Sequence, residues 1–325
     1  MTSLARFGLA VGHAADADGG TGCTVVRGIS APHRAAVAVI GRATGSRELA
    51  LLEPGHLVER VDAILLAGGS AYGLDAAAGI MRWMESRGRG FPVGAGVVPI
   101  VPAAVLFDLG PCGRFDARPT AAMAEAACEG ATSEGIAEGA VGAGTGLTVG
   151  KVLGKDGVMK GGFGLAVREA DGCAAAAMVA VNAFGDVRDA QRRIIAGARL
   201  RDGSFADTER VLAAGGPERV FGGAAAAAST ANTPNTTLAV VAVDAAFSRV
   251  ELQQLARAAT AAYHRRITPA GSSFDGDIVF ALSPMDGPRA PLAQAEMLVV
   301  AALEDAIERA VRLAKGRDGV RGLAD

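Results

Sequence analysis

Histidine, cysteine and aromatic residues are scarce, and each shortage removes a class of function. The four histidines, His13, His33, His56 and His264, include no pair at metal-ligand spacing, which leaves no histidine-based metal site. His33 and His56 read as residues of polar loops, and His264 closes a helix beside Arg265 and Arg266, where a cation suits the helix end. A Ser-His-Asp hydrolase is equally unsupported. Ser70 has Gly69 directly before it and Ala71-Tyr72-Gly73 after it, which is not the Gly-x-Ser-x-Gly elbow. The four cysteines (Cys23, Cys112, Cys128, Cys173) are widely separated and form no Cys-x-x-Cys pair. They fit neither a zinc site nor a small disulfide scaffold, and read as reduced, mostly buried thiols of a cytoplasmic protein.

Net charge is also lacking. A formal charge of −2 gives no electrostatic reason to expect nucleic acid or an anionic membrane as partner. No window approaches the ~20 apolar residues of a membrane-spanning helix. The longest apolar tract, residues 97–109, is interrupted by Pro99 and Pro102 and reads as core. The apolar run after Arg6 is too short for a signal-peptide core, and His13, Asp16 and Asp18 follow at once.

What is present is small and apolar. Hydrophobic residues make up 50% of the chain and aromatics 4%, with 45 glycines. The core must therefore be built from Ala, Val, Leu and Ile at close backbone approach. A length of 325 residues fits one large α/β domain or two ordinary ones. Strands are predicted at 24–27, 36–40, 63–66, 174–181, 236–244 and 278–282, from short apolar runs rich in β-branched residues. A helix is predicted from the glycine turn at 68–75 through about Arg87, with Ile80, Trp83 and Met84 on one face; another spans 119–130. Ser248 and Glu251 have capping-box spacing for a helix to about Arg266, striped by Leu252, Leu255, Ala259 and Ala262. The last helix, 291–315, turns Met297, Val300, Ala301, Ile307 and Val311 to the core. Residues 203–234, dominated by Ala and Gly, read as a flexible connector.

The glycine-rich segment 142–151 invites a nucleotide-binding reading, and its spacing refuses it. Thr145 stands where a P-loop needs its first glycine, and Val152 follows Lys151 where Ser or Thr is required. The segment delivers one lysine, Lys151, and the residues call for no cofactor and no metal. Asn182 ends a buried strand, as a cap or as a hydrogen-bond donor aimed into a site. Asp275 and Asp277 flank Gly276 just before another strand. The stretch that joins these parts is Pro234-Asn235-Thr236-Thr237, where a loose tract meets a core strand. Thr236 is either an ordinary strand opener or a nucleophile released when the chain cuts itself between Asn235 and Thr236. A free α-amine, with a reference pKa of roughly 7.7–8.0, can then serve as the base that no histidine supplies.

The ordered set of stretches Val11-Gly12-His13, residues 22–26, residues 66–75, residues 142–151, Asn235-Thr236-Thr237 and Asp275-Gly276-Asp277 covers almost the whole chain. It resembles a family of self-processing N-terminal-nucleophile hydrolases. That family contains D-aminopeptidase/esterases, β-peptidyl aminopeptidases and nylon-oligomer (6-aminohexanoate-oligomer) endohydrolases. The resemblance implies a four-layer αββα sandwich, formed by one domain of residues 1–325 and cut into 1–235 and 236–325. It implies Thr236 as nucleophile, Lys151 close to it, Asn182 supporting the oxyanion, and Asp275 with Asp277 holding the nucleophile and its amine. Phe107 departs from the pattern, because the nylon-oligomer enzymes carry a tyrosine there. The expected activity is hydrolysis of amide bonds in small peptides or peptide-like amides, by a homo-oligomer, a tetramer by resemblance. An ornithine- or glutamate-type N-acetyltransferase with a self-cut threonine, and a non-catalytic glycine-rich ligand-binding protein, are the alternatives.

Overall fold

The computed structural model describes residues 3–216, 235–273 and 275–325. In chain order the elements that matter here are β1 (Leu9–Asp16), β2 (Thr21–Gly28), β3 (His33–Val39), β4 (Ser46–Arg47), β5 (Arg60–Val61), β6 (Ala63–Ala67), α1 (Ala77–Glu85), β7 (Ala103–Val105), α2 (Ala121–Glu129), β8 (Gly162–Ala170), β9 (Cys173–Asn182), α3 (Thr208–Ala213), β10 (Thr236–Val243), α4 (Arg249–Arg266), β11 (Ile278–Pro284) and α5 (Leu292–Arg312).

The run Thr236-Thr237-Leu238-Ala239-Val240-Val241-Ala242-Val243 hardly alternates in polarity because both its faces are covered. All eight residues of β10 are buried, as in strands sandwiched between two layers. Leu238, Val240 and Ala242 point into one core with Val26, Ile64, Leu66 and Ala104 of the other sheet. Ala239, Val241 and Val243 point into a second core with Leu252, Leu255 and Ala259 of α4 and Val299, Leu303 and Ala306 of α5. A third core joins Val25, Leu65 and Ala103 to Ile80, Trp83 and Met84 of α1 and Ala124 and Ala127 of α2. Three cores between four layers make the αββα sandwich. One sheet has the order β8-β9-β10-β11-β3-β5 and the other β1-β2-β6-β7-β4.

The small residues do what composition demands. Gly164 of β8 has no space for a Cβ, which would collide with the Ala306 carbonyl, so α5 lies directly on the sheet backbone. This contact corrects the predicted stripe of α5. Met297 is 61% exposed and Ala301 only half-buried, whereas Ala295, Val299, Ala302, Leu303, Ala306 and Ala310 are buried. Alanines occupy the face that meets the sheet, and Met297 lies on another face of the helix. A second correction concerns His33, which lies in β3 and is buried, its Nε2 2.8 Å from the Phe7 carbonyl oxygen. It is a satisfied core histidine, not a loop residue.

The four cysteines are buried and free. The proposed connector is structured where it is described. Thr208 opens α3 with its N–H and hydroxyl both on the buried Asp186 carboxylate, at 2.6 and 2.8 Å. Residues 217–234 of that connector lie outside the described residues. Among the described residues no helix is long and apolar enough to cross a membrane.

Candidate active site

Strand directions gather the chemistry at one sheet edge. β9 runs antiparallel to β10, so Asn182 at its end pairs with Thr236 at the start of β10. β10 and β11 are parallel, which puts the Asp275-Gly276-Asp277 turn beside the same start, with Asn235 bridged to Asp275. β3 is antiparallel to β11, and its trailing residues clamp the acidic turn. Ile40 and Gly41 N–H both donate to the Asp277 carbonyl oxygen at 3.1 Å, and Ala43 N–H donates to that of Asp275 at 3.0 Å.

Thr236 is buried, and its Oγ1 donates to the Asn235 carbonyl oxygen at 2.5 Å. The same oxygen accepts the Gly276 N–H at 2.9 Å. The carbonyl of the Asn235–Thr236 peptide is therefore polarised by a fixed backbone donor while the next hydroxyl rests against it. The acids act on backbone. Asp277 accepts the Thr237 N–H at 2.6 Å and the Gly271 N–H at 3.1 Å, and Asp275 accepts the Ser272 N–H at 2.7 Å. Burial, and then the neighbouring charge of Asp275, push the Asp277 carboxyl up to about 7.

Lys151 is fully buried. Its Nζ donates to the Asn182 side-chain oxygen at 2.8 Å and to the Asn182 carbonyl oxygen at 3.0 Å. That side-chain oxygen also accepts the Thr148 N–H at 3.1 Å. Asn182 Nδ2 donates to the Phe107 carbonyl oxygen at 3.0 Å. Two donors on one side and an acceptor on the other fix the orientation of the amide. An amide nitrogen carries two hydrogens, so one remains beyond the bond to Phe107. Position 107 enters this network through its backbone, so the contact does not depend on which side chain stands there. No hydrogen bond joins the Asn182 side chain to Thr236 among the described residues; the two meet as cross-strand neighbours.

The structure thus brings Thr236, Asn182, Asp275, Asp277 and Lys151 into one neighbourhood. Gly276 and Tyr263 are among the participants whose roles were not legible beforehand. Gly276 contributes an N–H, which has no sequence signature. Tyr263 of α4 places its hydroxyl 3.2 Å from the Thr237 carbonyl oxygen and 3.0 Å from that of Ile278, tying the starts of β10 and β11 together. Tyr263 continues the buried stripe of α4, and a phenol on a buried face needs a polar partner. That was the available signal.

Residues 7–323 match the family model of peptidase family S58. The chain belongs to peptidase family S58. An uncharacterized aminopeptidase of Mycobacterium leprae (strain TN) is 40% identical over 292 residues, spanning 84% of this chain and 76% of the relative. A 6-aminohexanoate-oligomer endohydrolase of Kocuria sp. (strain KY2) is 31% identical over 286 residues, covering 85% and 73% of the two chains. Among solved structures, a Burkholderia sp. β-aminopeptidase superposes with a TM-score of 0.68 at 19% identity, over 97% of this chain and 88% of its own. An L-aminopeptidase D-Ala-esterase/amidase from Ochrobactrum anthropi, described as a new variant among the Ntn hydrolase fold, gives 0.67 at 20% identity, over 94% and 84%. The fold is that of the Ntn hydrolases, and this S58 member is a peptide-bond hydrolase of the aminopeptidase type.

Proposed function

We propose that this S58 chain activates itself by cutting the Asn235–Thr236 bond, and then uses Thr236 as an N-terminal nucleophile on amide bonds of small peptides or peptide-like amides. The observation that carries this reading is the double contact on the Asn235 carbonyl oxygen, from Thr236 Oγ1 at 2.5 Å and Gly276 N–H at 2.9 Å. In the cut, Thr236 Oγ adds to the Asn235 carbonyl carbon while Gly276 N–H steadies the developing oxyanion. The hydroxyl proton passes to the Thr236 nitrogen as the C–N bond breaks, so that nitrogen leaves as the α-amine and the acyl group passes to oxygen. One water then hydrolyses the ester to an Asn235 carboxylate and a Thr236 with free amine and hydroxyl.

In turnover that amine takes the hydroxyl proton as the oxygen attacks a substrate carbonyl. The proton passes to the departing amine, and water releases the acyl group from Thr236. Lys151 holds the Asn182 amide so that its remaining N–H faces the substrate oxyanion, and Asp277, through Thr237 N–H, fixes the start of the nucleophile strand. The free amine makes a histidine unnecessary, consistent with the sequence. The Kocuria relative is named for 6-aminohexanoate oligomers, so amides whose amino group is displaced from the usual α position belong among the substrates to test.

Intact mass of the purified protein tests this. Two pieces, 1–235 and 236–325, are expected from the native chain. Thr236→Ala should give one 325-residue species with no amidase activity. Active protein consisting only of uncut chain would refute the reading.

A further inference from the structure

Asn182 is held at both ends by peptide planes, and each plane is anchored by a buried charge. The Phe107 carbonyl that accepts Asn182 Nδ2 shares its peptide unit with the N–H of Asp108. The buried Asp108 carboxylate accepts the Gly69 N–H at 2.6 Å and the Thr21 hydroxyl at 2.7 Å. A Cβ on Gly68 would collide with it, so the turn is shaped around this group. At the other end, the Thr148 N–H that donates to Asn182 Oδ1 shares its peptide unit with the Leu147 carbonyl. That carbonyl accepts Lys160 Nζ at 2.9 Å and the Gly161 N–H at 2.9 Å. Lys160, also buried, donates again to the Thr145 carbonyl at 2.9 Å.

We propose that Asp108 and Lys160 are positioning residues that lock the two peptide planes gripping the Asn182 amide, and so aim its free N–H at the reacting carbonyl. This rests on the reading of Asn182 as oxyanion donor given above. The two charges make no ion-pair contact with each other, so neither is kept buried by a salt bridge. What each gains is a grip on backbone. Two buried charges cost desolvation energy that an apolar pair would not, and hydrogen bonds to fixed backbone groups are the return. Burial moves both toward their neutral forms, Asp108 up to about 6 and Lys160 down to about 8. Near pH 7 both remain charged and attract one another across the gap. The arrangement is the supporting shell that a pre-organised donor needs.

The test uses the full chain with Asp108→Ala and Lys160→Met, alone and combined with Asn182→Ala. The protein contains three asparagines, Asn182, Asn232 and Asn235, so selective ¹⁵N-asparagine labelling yields three side-chain amides, and loss in Asn182→Ala identifies the relevant one. Each variant is expected to shift that amide and to lower kcat about 10- to 100-fold, below the loss for deleting an oxyanion donor outright, with KM within about twofold. In the Asn182→Ala background neither should cost more, because the effect acts through Asn182. Unmoved Asn182 amide signals, or an equal loss in the Asn182→Ala background, would overturn the proposal. Should a charged-residue variant fail to fold, Thr21→Val removes only one hydroxyl from Asp108 and should move the same signals less. A wild-type protein without amidase activity would sink the proposed hydrolysis, and the amide spectra would still decide the positioning claim.

Discussion

Gly276 bears on the chemistry as directly as any side chain in the site. A Cβ at this position would lie 2.7 Å from Thr236 Oγ1 and 2.7 Å from the Ala43 carbonyl oxygen. Gly276→Ala should therefore displace the nucleophile or the scissile carbonyl by a sizeable fraction of an ångström. Misplacement of about 1 Å costs on the order of 100-fold in rate, so self-cutting should slow by tenfold or more, roughly, on the same basis. The half-time for appearance of the 1–235 fragment measures it; an unchanged half-time in a folded variant would remove Gly276 from the mechanism. Asp277 predicts a pH dependence. Its ordinary value of 3.8 rises to about 7 in the fold, so between these values the folded chain holds a proton that the unfolded chain has lost. Stability from this group is present below about pH 4 and is lost as pH rises through about 7. In the uncut Thr236→Ala background, Asp277→Asn should flatten the decline of the urea midpoint between about pH 5 and 7.5. Parallel curves for the two proteins would refute the assignment. The residues whose types announce chemistry, Thr236, Lys151, Asn182, Asp275 and Asp277, could be found in the sequence and do converge in space. Gly276 N–H, the Phe107 carbonyl and the Asp108–Lys160 pair could not, because backbone polarity and distant partners leave no trace in residue type.

Helices and strands were readable in proportion to how local their causes are. The Ser248–Glu251 capping box is formed as its spacing predicts, since a cap depends on four consecutive residues. The face of α5 was misjudged at Met297 because the side of the helix that is buried is set by its contact with β8, where Gly162 and Gly164 meet Ala310 and Ala306, and that contact joins segments more than 120 residues apart. Tyr263 joins the two levels. Its hydroxyl bridges the Thr237 and Ile278 carbonyl oxygens, where β10 and β11 begin and just before their ladder pairing at Leu238 and Ile278. Tyr263→Phe keeps the ring and removes the one phenolic proton that the two buried carbonyls share. The cost should be about 1–3 kcal/mol, read from denaturant unfolding of the Thr236→Ala chain. Self-cutting should slow as well, because the loosened strand start carries the scissile bond. A variant as stable and as fast as the parent would mean that water replaces the hydroxyl without loss.

At the scale of the whole molecule, the αββα arrangement was expected from resemblance, and which strand faces which helix had to come from the structure. Those contacts fix what a cut at Asn235–Thr236 would do. Residues 236–325 supply β10, β11, α4 and α5, two adjacent inner strands of the six-stranded sheet and the helices covering it. Without them β8 and β9 on one side would be parted from β3 and β5 on the other, and β10's eight registered pairs with β9 would open. Leu238, Val240, Val241 and Val243 are buried between layers, and exposing each costs about 1.5–3 kcal/mol. The cut therefore removes a covalent bond from a junction already held by core packing on both sides. Processed protein should elute as one species under native conditions and separate into 1–235 and 236–325 only in denaturant, with both pieces lost in a single transition. Residues 1–235 expressed alone should fail to fold, because their sheet has a two-strand gap. Fragments that part on a native column would show that the junction depends on the intact chain, and Thr236 with its acidic turn would then be separated from Asn182 and Lys151 on the other piece.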